Sequence, residues 1–259
     1  MQIYLQFTFL FFLGATAGWV MELFFRRFKK DNVDRKWVNP GFLNGPYLPI
    51  YGFGVCTLYG ISALIDRLPI AGSGGTGGIV RVAAIFVLSG VGMTLIELIA
   101  GEIFILGFKV KLWDYDRCWG NYKGIICPLF SLIWAVLGTV YAVLVNPLIV
   151  SSLHWFTAHI TFSYFLGILS GVMGVDVVYS FHIVARIRAF AVENNILVRY
   201  EELKDSIIRT LDREHLRRKF FLSFLSSIPL ADHLRNFRDS LKERLGSLRR
   251  KLFYGGTGG

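Results

Sequence analysis

The chain has 259 residues, of which 54% are hydrophobic and 18% charged, with a net charge of +10 and a mean hydropathy of +0.51. This excludes an ordinary soluble domain, because the apolar residues come in long blocks and not with the period of a half-buried helix or strand. The basic excess is confined to segments between and after those blocks, so it fits a surface beside anionic lipid and excludes a nucleic-acid groove.

The first block, residues 3–25, is long enough to cross a bilayer, which takes about 20 apolar residues. It lacks a basic n-region, exceeds the length of a signal-peptide core and runs into Arg26, Arg27, Lys29 and Lys30, so it reads as a retained span. Gly14, Gly18 and Glu22 recur every fourth residue. The glycines admit a neighbouring helix closely, and the same face delivers the carboxylate to it.

The second block, 46–65, opens inside NPGFLNGPYLPIYGFG (39–54). Pro46 and Pro49 remove backbone donors and forbid a regular helix start. Irregular backbone of this kind cannot face lipid, because its polar groups would be unsatisfied. The expectation is a protein-wrapped wall with Asn44, Tyr47 and Tyr51 turned toward the helices of Glu22 and Glu97; a plain helix-entry cap is the alternative. The GSGGTGG run at 72–78 is not a phosphate loop, since no Gly-Lys-Ser/Thr follows it.

The third block, 82–100, carries Glu97, with Gly101 one turn on and Ser89 two turns before. Glu102 lies about 140° round the same helix, so one straight face cannot present both acids. Charged groups within a span are costly and call for a reason. Two readings of Glu22, Glu97 and Glu102 stay open: interfacial acids paired with Arg26, Arg27 or Lys109, or a shared polar chamber.

The fourth block, 125–150, follows a basic loop holding Cys118; Cys118 and Cys127 fall on the side expected to keep thiols reduced. His154, Trp155 and His159 read as part of an aromatic belt. In the fifth block, 160–183, Gly171 and His182 share one face and Asp176 points elsewhere, so spacing supports no His–Asp pair and leaves Asp176 as an interhelical or functional group.

From residue 186 the composition becomes polar. Ile196, Tyr200, Leu203, Ile207 and Leu211 form an apolar helical stripe. The run at 219–230 is too short to span. Residues 230–252 repeat leucines with an 11-residue period against a face of Arg235, Arg238, Lys242, Arg249 and Arg250. Such a helix lies on the inner leaflet, pairs with a partner, or folds back on the protein. Five crossings place every Lys and Arg except Arg67 and Arg81 on one side, which by the positive-inside rule is the cytoplasm. The expected fold is therefore an all-α, multi-pass bundle of five transmembrane helices in the cell membrane, residues 1–185, with the N-terminus outside. A basic amphipathic cytoplasmic tail, 186–259, follows it.

GWVMELFFRR (18–27), NPGFLNGPYLPIYGFG (39–54) and the segment 97–134, with its Trp-Asp-Tyr at 113–115 and Gly-Ile-Ile-Cys at 124–127, together resemble the Putative ABC-transporter type IV (CmpB-like) membrane family. The resemblance covers roughly residues 14–150. It departs from the family signature at Leu48, where a cysteine is expected. By position it implies Glu22, Asn44, Tyr47, Tyr51, Glu97, Glu102, Trp113, Asp114 and Tyr115 as polar residues of interest, to which the residue reading adds Asp176. The family name implies a permease.

The leading functional expectation is a permease-like or transport-associated protein with an inward-facing acidic site for a cation, proton or small polar solute. A membrane enzyme acting on lipid and a scaffold recruiting a partner through residues 229–254 are the alternatives. No catalytic motif, metal-ligand motif or nucleotide cassette stands out, and the sequence names no cofactor. The expected partners are the bilayer with its anionic lipid, a second copy of the chain, or a protein held by the tail; nucleic acid is not among them.

Overall fold

The computed structural model describes residues 2–29, 32, 34–68, 76–213 and 229–254. Five helices are long and apolar enough to cross a membrane: Ile3–Phe28, Pro49–Asp66, Gly77–Gly107, Pro128–Ala158 and Ile160–Glu193. Most outlast the apolar blocks, because backbone hydrogen bonding continues into polar sequence until a breaker intervenes.

Helix α1 (Gln2–Phe28) ends in Arg26 and Arg27, and α2 (Pro49–Asp66) starts on a proline, which an orphan first-turn position tolerates. Helix α3 (Thr76–Glu102) continues through a π-helical turn, Ile103–Gly107. Helices α4 (Pro128–Val140) and α5 (Asn146–Ala158) form one span joined by a second π turn, Tyr141–Val145. That widened turn lies just before Pro147, which has no N–H to give and would clash with the carbonyl four residues earlier in a regular helix. Helix α6 (Ser163–Glu193) is the longest and runs without a break through residues 185 and 186.

Helix α1 packs on α2, α2 on α3, and α3 on α4. Gly18 shows how tightly: a Cβ there would lie 2.2 Å from Cγ of Tyr51, so the α1–α2 approach requires glycine. The expected small-residue face is thus used. The outer faces carry exposed Val143, Leu144, Leu148, Val172, Val175 and Val178, as hydrocarbon surroundings would suit.

The end of the bundle that carries the basic clusters has its own core. Asn194 and Asn195 terminate α6, with Asn195 in the left-handed region that asparagine tolerates. Strand β2 (Val198–Arg199) then pairs in parallel with β1 (Val110–Lys111). Helix α7 (Tyr200–Arg213) buries Tyr200, Leu203, Ile207 and Leu211 against Phe104, Val184 and Ile187. Ile196 precedes α7, so the helical stripe expected from Ile196 to Leu211 is interrupted by the strand and begins at Tyr200. Helix α8 (Leu230–Tyr254) adds Leu234 and Phe237 to the same core, which is the fold-back placement for the start of this helix. Residues 72–75 of the glycine-rich run, 219–228 of the short apolar run and 255–259 lie outside the described residues.

Candidate functional site

The 39–48 segment is held by a carboxylate on α6. Asn44 donates its backbone N–H across both oxygens of Asp176 (3.1 and 3.0 Å) and its side-chain amide to Oδ1 (2.8 Å). Gly45 donates its backbone N–H to Oδ2 at 2.8 Å, the Tyr47 hydroxyl does the same at 2.8 Å, and Ser180 donates to Oδ1 at 3.1 Å. Burial, then the contact with Asp176, pushes the Tyr47 phenol well above its ordinary range. Asn44 and Tyr47 therefore face Asp176 on α6 and not the helices of Glu22 and Glu97. This corrects the expected direction. The physical reason is that a bend exposing successive N–H groups makes a concave anion site, and Asp176 supplies the anion. The loop's other ties run to α1: Leu48 donates its N–H to the carbonyl of Ala15 (2.9 Å), and the Trp19 indole donates to Asn39 Oδ1 (2.7 Å).

Tyr51 does turn toward the acids, lying between Glu22 and Glu97 and in electrostatic contact with both. Glu97 is 4% exposed, about 15 Å along the helix from Gly107. Its Oε1 accepts from the Tyr115 hydroxyl at 3.2 Å, while Oε2 is buried with no hydrogen-bond partner among the described residues. The Trp134 indole N–H faces this carboxylate as a second donor, though short of good hydrogen-bond geometry to any acceptor among the described residues. Tyr115 stacks on Phe130 with ring centroids 4.2 Å apart, and burial followed by the Glu97 charge pushes its phenol far up. Tyr51, Glu97, Tyr115 and Trp134 thus meet in one place.

The other two glutamates are paired. Glu22 accepts from Arg26 at 2.9 Å, and Arg26 also binds Glu201 of α7. Glu102 accepts from Lys123 at 2.7 Å through Oε1, with Oε2 buried and unpartnered among the described residues. Glu97 and Glu102 diverge as the helical geometry requires. Trp113 donates its indole N–H to the Ile125 carbonyl (2.8 Å), which pins the 108–127 loop. Asp114 binds Lys111 (2.7 Å) and Arg199 (3.0 Å); burial opposes its charge, but the bonds from Lys111 and the Asp116 N–H hold it below the ordinary carboxylate range.

Several residues escaped the sequence reading. Buried Lys204 donates to the carbonyls of Asn39 and Gly41, and burial depresses it to about 8. The Tyr200 hydroxyl reaches the Phe42 carbonyl at 3.5 Å. Spacing did contain a signal for Lys204: it lies four residues after Tyr200 and three before Ile207, on the apolar stripe. Gly171 and His182 line one side of α6 together, in an open apolar groove of about 650 Å³ that includes Val175 and Val178, while Asp176 faces the loop. Trp155 and His159 stack at 4.9 Å near the opposite end.

The family model described as Putative ABC-transporter type IV matches residues 9–181. The chain belongs to this family. The match takes in the five spans, except the start of α1 and the end of α6, and all ten residues singled out above, from Glu22 to Asp176. Neither a curated protein nor a solved structure matches the chain. This member of the Putative ABC-transporter type IV family is a multi-pass membrane protein with five candidate spans.

Proposed function

We propose that this protein is a permease-like or transport-associated membrane subunit in which Glu97 is the group that takes up a proton or small cation. One observation carries the reading: a carboxylate buried within a span keeps one oxygen without a hydrogen-bond partner among the described residues, beside Tyr51, Tyr115 and Trp134. A buried ionisable group in a membrane demands a partner or a function, and here a hydroxyl supplies only half of what the carboxylate can accept. Glu22 and Glu102, paired with Arg26 and Lys123, flank the approach from the basic end. In the proposed orientation that end faces the cytoplasm and the N-terminus lies outside, since almost all Lys and Arg fall there. A reporter fused after residue 254 tests it: an exported C-terminus would reverse the assignment.

The functional test uses the purified full-length chain in proteoliposomes with an imposed pH gradient and an entrapped pH dye, with and without Na⁺ or K⁺. The wild type is expected to dissipate the gradient, and Glu97→Gln to lose that flux while keeping its size-exclusion profile. Equal flux from wild type and Glu97→Gln would remove Glu97 from the mechanism. The groove on α6 is lined by α6 alone and lacks a carboxylate, so it lends no support to lipid chemistry at Glu97.

A further inference from the structure

Helix α6 uses its sides differently. Asp176 faces the 39–48 loop, while Gly171, Gly174, Val175, Val178, Tyr179 and His182 line the open groove of about 650 Å³ on another side. The glycines of α1 and α4 are met by neighbouring helices. A Cβ added at Gly14, Gly18 or Gly138 would lie 2.7, 2.2 and 2.2 Å from side-chain atoms of Val55, Tyr51 and Ser89, respectively. At Gly167, Gly171 and Gly174 of α6 the same atom would meet nothing within 4 Å. Glycine inside a helix costs about 1 kcal/mol against alanine, and here no packed helix offsets it. What the glycines leave is a trough, flanked by Val175 and Val178, each 73% exposed.

The length and the ends of the trough limit what can fill it. Gly171 stands near the middle of the apolar block 160–183, and His182 lies about 16 Å further along the helix. Half of a hydrocarbon core is about 15 Å. The trough therefore runs the depth of one leaflet, from mid-membrane to the headgroups on the side of the basic clusters. There it ends in three donors: the Tyr179 hydroxyl, the His182 imidazole and the exposed guanidinium of Arg186, one turn after His182 on the same face. Among the described residues none of the three is engaged in a hydrogen bond or ion pair. The next acid on this face, Glu193, is two turns past Arg186, about 10 Å. An apolar trough takes an acyl chain and has nothing for a free anion. The donors at its end take a phosphate, to which a guanidinium gives two parallel N–H bonds. Two copies of the chain meeting through this face would set Arg186 against Arg186 at the same depth, an unfavourable like-charge contact. The leaflet beside a basic face carries the complementary charge.

We infer that this side of α6 is a binding site for an anionic phospholipid. One acyl chain lies along Gly171, Gly174, Val175 and Val178, and the phosphate is held by Tyr179, His182 and Arg186. The site stands apart from Glu97 and does not depend on its role.

Native mass spectrometry of the full-length chain tests it, counting the lipids retained when phosphatidylglycerol or phosphatidylcholine of identical chains is added in detergent. The wild type is expected to hold one phosphatidylglycerol about fivefold more tightly than phosphatidylcholine, the effect of one cation near a headgroup. Arg186→Gln should erase that preference. Arg188→Gln, which removes an exposed cation of the same helix outside the groove, should leave it. Gly171→Leu fills the trough where an added Cβ meets no protein atom, so it should weaken both lipids while keeping the size-exclusion profile. Equal retention of the two lipids by the wild type, or equal effects of Arg186→Gln and Arg188→Gln, would overturn the site. A dimer in the spectrum that Gly171→Leu dissociates would overturn it as well, and would assign this face to a second copy of the chain.

Discussion

Replacing Asp176 by alanine tests whether the carboxylate holds the 39–48 loop. Five groups donate to it: the backbone N–H groups of Asn44 and Gly45, the Asn44 amide, the Tyr47 hydroxyl and Ser180. A hydrogen bond to a charged group contributes about 1.5–3 kcal/mol, and a buried donor left without a partner costs about 1–3 kcal/mol. The loop backbone is only half-buried, so water recovers part of this, and a net loss of about 3 kcal/mol is expected. At about 2–4 °C per kcal/mol, that is a fall of about 10 °C in melting temperature. Thermal unfolding in detergent, followed by tryptophan emission, measures it, and limited proteolysis reports whether residues 39–48 open. Asp176→Asn sharpens the test. Every partner is a donor, so an asparagine NH₂ would oppose at least one N–H or O–H whichever way it is placed, and it should recover less than half of the alanine loss. A melting temperature for Asp176→Ala within 2 °C of wild type, with the loop still protected, would refute the reasoning.

Three further outcomes are expected. Gly18→Val would drive a side chain into Tyr51 and lower stability by about 1–3 kcal/mol, read by the same unfolding assay; an unchanged protein would mean that α1 and α2 can part freely. Lys204 is held at about 8 in the fold against about 10.4 unfolded, so the unfolded chain binds more protons between those values. Stability should therefore rise by about 3 kcal/mol from pH 8 to above pH 10, and Lys204→Met should flatten that segment relative to wild type in unfolding curves taken across the range. Glu201→Gln frees α7 from Arg26; the pair is partly exposed, so stability should fall by no more than about 1 kcal/mol, but protease cleavage at residues 194–199 should quicken. Unaltered cleavage there would show that the pair does not hold α7.

The spans were legible because hydrocarbon leaves a plain mark: long apolar blocks, with basic residues gathered between alternate pairs. Gly18 beside Glu22 was legible for the same reason, since a repeat of four states which residues share a helix face. The partner of Asn44 and Tyr47 was not. Asp176 lies 132 residues from Asn44, and no local period relates a loop to a distant helix. Helix spacing said only that Asp176 faces away from Gly171 and His182. The chain beyond 186 was read as a tail because its composition changes there, yet hydrogen bonds from Tyr200 and Lys204 reach the loop at 39–42. Composition marks where lipid ends, not where contact ends. Lys204 was passed over because lysine on an amphipathic helix is normally solvated, and only its register with Tyr200 and Ile207 spoke otherwise.

The ties from Asp176 and Lys204 to the 39–48 loop also constrain the order of biogenesis. When α1 and α2 leave the ribosome, neither the carboxylate nor the ammonium that secures the segment between them has been synthesised. The first hairpin must enter the membrane with that segment loose, and it acquires its final shape only after α6 and then α7 arrive. A chain truncated before residue 176 should hold the four earlier spans and an unsecured loop, and one truncated before residue 204 a loop fastened by Asp176 but not by Lys204. Quality control in the membrane would have a discrete signal to read: protease sensitivity at 39–48 that disappears in two steps.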